Sequence, residues 1–237
     1  MILQLCALAG VLLLLATQRG ALLDLVGPPG PVELDNPGDL VGEPTAEQGQ
    51  GGAALEVSAF LGSVDMGAAF DQVEADQAQI NVGAFLAMIR RAEGTADQAG
   101  YNRIFGGATF QDMSDHPRQA VQFTDQAGRR LYSTAAGAYQ FMAISPTPAG
   151  QTKVDTWDRM QRRLSLPDFS PQSQDTAALQ LIDDAGALGD VRAGRLDAAV
   201  GKVRRIWASL PGAGYAQPEK SMPYLRDVYA AAGGVFA

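Results

Sequence analysis

AFLAMIRRAEGT, residues 84–95, is a short apolar stretch with helical spacing that runs out at a glutamate. Phe85, Ile89 and Glu93 recur at i, i+4 and i+8, and Val82, Met88 and Ala92 fill the neighbouring positions. One face of a helix is therefore apolar and runs out into a carboxylate. Gly94 supplies the stop, because glycine takes the left-handed conformation that ends a helix. A carboxyl group at the end of an apolar stripe loses part of its hydration, which disfavours the ionised form and raises its pKa. By periodicity alone Glu93 has two readings: a last-turn residue pointing into water, or an acid held protonated near neutral pH.

Downstream the pattern stays mainly helical. A glycine-punctuated stretch, YNRIFGGATF, leads to SDHPR, where Pro117 suits a helix or turn start behind Ser114 and Asp115. AVQFTDQAGRRLYST predicts a hairpin, with Val121 and Phe123 before a turn at Gln126-Ala127-Gly128 and Leu131 and Tyr132 after it. Four amphipathic helices follow. The first carries Val154, Trp157, Met160 and Leu164; the second opens at Ser170-Pro171 and carries Ala177, Ala178, Leu181 and Ile182. The third runs through Leu196, Val200, Val203, Ile206 and Trp207, and the last through Leu225, Val228 and Tyr229 to Gly233. Both tryptophans fall on helical stripes and read as core. The fold class is α+β, a mainly helical domain over residues 80–237 with a small β-hairpin element.

Upstream of residue 80 the composition changes. Residues 1–80 hold 11 acids against Arg19 alone, whereas residues 81–237 hold 15 acids and 17 bases. The formal charge of −8 thus belongs to the front of the chain. Residues 1–23 predict an apolar helix, read as a signal anchor or transmembrane segment, although Ile2 to Ala16 is shorter than the ~20 residues a spanning helix needs. Cys6 within it reads as a buried apolar thiol. Residues 24–79 read as an acidic linker rich in Pro, Gly and Ala, disordered over Gly27 to Gly52 and with a short helix or two after residue 53. One cysteine and one histidine, His116, make no intramolecular disulfide and no common zinc site, so neither a metal nor another cofactor is expected. The pairs Arg129-Arg130, Arg162-Arg163 and Arg204-Arg205 come with no phosphate loop or recognition-helix signature, so nucleic acid is not an expected partner.

AFLAMIRRAEGT, FGGATFQDMSDHPR, YSTAAGAYQF, LPDFSPQSQDTAALQLI and IWASLPGAGY together resemble, in order and spacing, the lambda-endolysin-like lytic transglycosylases, a lysozyme-like family that cuts peptidoglycan. The resemblance covers nearly all of residues 85–234. It implies a lysozyme-like fold, Glu93 as catalytic acid, and cleavage of the bond between N-acetylmuramic acid and N-acetylglucosamine with formation of a 1,6-anhydro ring. Gly137-Ala138-Tyr139-Gln140 resembles the Gly-x-x-Gln element that lines the glycan groove in wider transglycosylase families. It implies substrate contacts from Gln140 and Tyr139, with Gly137 letting the backbone approach a sugar. Tyr215 is implied beside the glycan or Glu93, and Ser133 and Thr134 are weaker groove candidates; His116 and Asp115 read as loop braces.

Ordinary glycosidases need two carboxylates flanking the bond. Asp97, Asp112 and Asp115 are the nearest in sequence, and Glu219 is the only other glutamate in the domain. A hydrolytic muramidase using such an aspartate, and a wall-binding module without activity, stay open beside the transglycosylase. The expected partners are glycan strands and, through residues 1–23, a membrane; the expected setting is the cell envelope, exported or anchored, as a monomer.

Overall fold

The computed structural model describes residues 66–125, 128–215 and 217–237. The predicted apolar helix at 1–23, Cys6, the linker as far as residue 65 and the turn residues Gln126 and Ala127 lie outside the described residues. The chain divides into two compact units at Val73–Glu74, and apart from the first residues of helix α1 the elements below belong to Glu74–Ala237.

Helix α1, Met66–Ala92, is longer than its apolar stripe. Residues 66–79, assigned to the linker on composition, are helical. Their alanine and glutamine content favours a helix, and that propensity carries the helix back from the stripe. Inside the core the stripe behaves as its period requires: Phe85, Met88 and Ile89 are fully buried. Helix α1 ends in a Schellman motif, with Thr95 N–H on Arg90 O at 2.8 Å, Gly94 N–H on Arg91 O at 3.3 Å and Gly94 at φ 75°. Glu93 is the residue at which the helix is capped, and its N–H still bonds Ile89 O at 2.9 Å.

Strands β1 (Val121–Thr124) and β2 (Arg130–Ser133) form the antiparallel hairpin, with Val121 opposite Ser133 and Thr124 opposite Arg130. A second two-stranded element pairs β3 (Pro146–Thr147) with β4 (Gly150–Gln151). Helices α2 (Thr156–Leu164), α3 (Pro171–Asp184), α4 (Leu188–Arg192), α5 (Leu196–Val203) and α6 (Met222–Ala231) complete the unit. Ser170 caps α3 as the Ser-Pro pair predicts, its hydroxyl accepting the Ser173 N–H. Two stripes are shorter than their periodicity. Val154 precedes α2 and is exposed, and α5 stops at Val203, so Ile206 and Trp207 sit in the turn beyond it. Trp207 is buried all the same, its indole N–H donating to Tyr139 O at 3.1 Å.

His116 holds the centre of the loop that predicts a turn at Pro117. It is buried, its ring stands edge-on to Phe169, Nε2 donates to Phe141 O at 2.9 Å, and Nδ1 accepts the Arg118 N–H at 3.0 Å. Both nitrogens are used only by the neutral ring, and burial pushes its pKa down to about 4. The unfolded chain takes up this proton near pH 6.5 and the native state does not. The stability is therefore complete above pH 6.5 and declines as the pH falls towards 4, by about 3 kcal/mol in all. Urea midpoints between pH 7 and pH 4 should record that decline in wild-type protein, and its absence would remove the buried neutral histidine as its cause.

Candidate active site

Glu93 opens into a cleft of about 550 Å³ whose walls come from four separate parts of the chain. The cap of α1 supplies Glu93 to Thr95, a strip at 103–107 supplies one side, the 133–142 segment the floor, and the 206–209 turn with Gln217 and Pro218 the opposite lip. Backbone bonds fasten these parts together. Phe105 N–H donates to Ala135 O at 2.8 Å and Gly137 N–H to Arg103 O at 2.8 Å, while the Thr95 hydroxyl reaches Ala138 O at 2.5 Å. Glu93 is thereby held in fixed relation to the turn that carries Gln140.

The Glu93 side chain is half-buried. Loss of hydration raises its pKa; the Ser209 hydroxyl and main-chain N–H, followed by the charge of Lys220, pull it part of the way back, and the net direction is upward. The Ser209 hydroxyl donates to Oε1 at 2.6 Å. Ser209 lies inside IWASLPGAGY but had no signal of its own in the sequence. It is 116 residues from Glu93, and only the fold brings the two together.

Glu93 is the one carboxylate among the described residues that line this cleft. Asp97 pairs with Arg103 at 2.5 Å, Asp112 accepts the Ser114 N–H at 2.8 Å, and Asp115 ties Arg118 at 3.0 Å and the Trp157 indole at 3.3 Å. Glu219 staples the lip, its two oxygens accepting the N–H groups of Gly212 at 2.7 Å and Gly214 at 3.0 Å, and these bonds hold its pKa below the usual value.

The remaining candidates separate into cleft wall and support. Gln140 lies on the wall in a left-handed conformation, φ 50°, with Nε2 donating to Gly137 O at 3.0 Å. Its carbonyl oxygen has no partner among the described residues. Ser133 also lines the cleft, its hydroxyl accepting the Ala135 N–H at 3.2 Å; Thr134 is buried, bonded to Ala143 O at 2.8 Å, and is not in the lining. Tyr139 borders the cleft but is buried, and its hydroxyl proton is committed to Asp175 at 2.7 Å. Gly137 is not in the lining: its close neighbours are Gln174 and Phe169, so the approach its missing side chain permits is to the core. Tyr215 is not in the lining of this cleft; it is 52 % exposed, its hydroxyl donating to Arg205 O at 2.7 Å.

The family description "Endolysin" matches residues 83–236. The endolysin of Escherichia phage P2 is 43 % identical over 169 residues, which span 65 % of this chain and 94 % of that protein. The endolysin of Escherichia phage lambda is 40 % identical over 157 residues, 64 % of this chain and 90 % of the other. In three dimensions the structure is similar to bacteriophage lambda lysozyme complexed with a chitohexasaccharide, with a TM-score of 0.58 at 38 % identity over 67 % of this chain and 97 % of that one. The mainly helical architecture with its small hairpin is accordingly a lambda-lysozyme-like fold.

Proposed function

This chain belongs to the endolysin family and is a lysozyme-like, peptidoglycan-degrading enzyme, and within that class we propose that it is a lytic transglycosylase with Glu93 as its acid and base. The observation that carries the reading is the solitary carboxylate: the described cleft lining holds Glu93 and no second acid to position a water or attack the sugar.

A single carboxyl group suffices when the substrate brings its own nucleophile. The Ser209 hydroxyl holds Oε1, which fixes the carboxyl group that carries the acidic proton. Glu93 gives it to the glycosidic oxygen as the bond from muramic-acid C1 breaks, and N-acetylglucosamine departs as the alcohol. The resulting carboxylate takes the proton from the C6 hydroxyl of the same muramic acid, O6 bonds to C1, and the 1,6-anhydro ring closes with Glu93 protonated again. The raised pKa serves the first step, because it increases the share of protonated acid at any given pH above the ordinary carboxyl range. Gln140, whose amide N–H is committed to Gly137 O, presents its carbonyl oxygen to a sugar hydroxyl or acetamido N–H.

A glycan substrate implies a working site in the cell envelope, and export or tethering by the apolar segment at residues 1–23 is part of this proposal. Among the described residues no helix is long and apolar enough to cross a membrane. Mass spectrometry of fragments released from purified sacculi tests the chemistry. Fragments ending in 1,6-anhydro-muramic acid are expected; reducing muramic-acid ends, convertible by borohydride, would make the enzyme a hydrolase instead.

A further inference from the structure

Beyond the Glu93 lobe the cleft continues into a second recess of about 420 Å³. The two share a wall at Tyr139, Gln140, Met142 and the 206–208 turn. Their chemistry differs. The first lobe presents an acid and main-chain polar groups. The second is walled by Val154, Leu181, Ile206 and the Tyr215 ring, and it contains Arg159 and Arg205 with neither Asp nor Glu in its described lining.

The two arginines are not equivalent. Arg159 already shares its charge with Asp155 at 3.1 Å. The Arg205 guanidinium makes no hydrogen bond or ion pair among the described residues and is exposed. Its backbone, in contrast, is fixed, because Arg205 O accepts the Tyr215 hydroxyl at 2.7 Å. A planar, permanently charged fork beside apolar walls, with no acid opposite, is a site for a carboxylate on a partly apolar ligand, and neutral sugar rings make no use of its charge.

We propose that this recess receives the peptide stem of the muramyl glycan, with Arg205 pairing to a stem carboxylate and Val154, Leu181 and Tyr215 packing on its apolar atoms. The inference rests on the reading of peptidoglycan as substrate in the Glu93 lobe. It makes Arg205 a determinant of substrate preference, acting on the branch while Glu93 acts on the backbone. The contact is solvent-accessible, so its contribution is modest and weakens as salt is raised.

The test uses the full chain on two substrates: glycan strands with native stem peptides, and the same strands with their carboxylates capped as methylamides by carbodiimide coupling. Arg205→Ala should lose roughly fivefold in kcat/KM on the native strands and be indistinguishable from wild type on the capped ones. Arg205→Glu should lose more, Arg205→Lys should retain most of the rate, and Arg162→Glu, outside both lobes, should match wild type on either substrate. Equal losses by Arg205→Ala on both substrates would make the recess a sugar subsite, and no loss on native strands would remove Arg205 from recognition; either result overturns the proposal. Wild-type protein that cleaves neither substrate would overturn the substrate reading itself, and the recess assignment with it.

Discussion

Replacing Glu93 by Gln should lower the release of soluble fragments from sacculi by about 10²- to 10⁴-fold, the range over which a positioned general acid contributes. The amide keeps the shape of the side chain and its ability to accept the Ser209 hydroxyl at the oxygen that now takes it at 2.6 Å, so sedimentation with sacculi should be unchanged. The variant should also be no less stable than wild type at neutral pH. Because the folded pKa of Glu93 is raised, ionisation burdens the native state above that pKa, and the burden disappears as the pH falls through it to the unfolded value. Wild-type activity should correspondingly decline as the pH rises through the folded pKa, where the acid loses its proton. Unchanged fragment release by Glu93→Gln would sink the catalytic assignment.

The second large effect is structural. Gly137→Ala should destabilise the fold by about 3 kcal/mol, from a left-handed φ of 77° that disfavours any side chain and from a collision with a buried amide. A Cβ at position 137 would stand 2.7 Å from Gln174 Cδ and 2.9 Å from Phe169 Cζ. Gln174 cannot yield cheaply. Its Oε1 accepts the Ala138 N–H at 2.8 Å, and its Nε2 donates to Phe169 O at 2.7 Å and Tyr101 O at 3.0 Å, all beneath the turn that carries Gln140. Displacing it leaves buried polar groups unpaired. Urea unfolding of Gly137→Ala, Gln174→Ala and the double variant would check this: the double should lose less than the sum of the singles, because one loss is the collision between them. Strict additivity would mean that the two positions do not meet as described.

How far these features are legible in the sequence depends on how local their causes are. The stripe of Phe85 and Ile89, the stop at Gly94, the Ser170 cap and the pairing of Val121–Thr124 with Arg130–Ser133 arise from interactions within a few residues, or within one hairpin, and each has a recognisable pattern. The same logic misplaced Val154 and Ile206, because a helical period does not by itself say where the helix ends. Within the segment 24–79 it expected a short helix or two after residue 53 but not that residues 66–79 would run on unbroken into the apolar stripe.

For the site, the sequence singled out Glu93 and Gln140, one by its place at the end of an apolar stripe and the other by family resemblance. It could not say which carboxylates share the cleft with Glu93, since Asp97 and Asp112 are near in sequence yet bonded elsewhere. Nor could it show that Tyr139 spends its hydroxyl on Asp175, or that Gly137 makes room for Gln174. Ser209 and Arg205 had no local mark.

By itself, then, the sequence determined the helical framework and the family and proposed Glu93 as the acid by resemblance, because periodicity, caps, turn chemistry and family motifs are properties of short stretches. Only the tertiary structure decided the environment of that residue: its raised pKa, its serine partner, the absence of a second carboxylate from the described cleft lining, and the adjoining arginine recess. Hydration and hydrogen bonding depend on which groups the fold brings within a few ångströms, and for Glu93 one of those groups lies 116 residues along the chain.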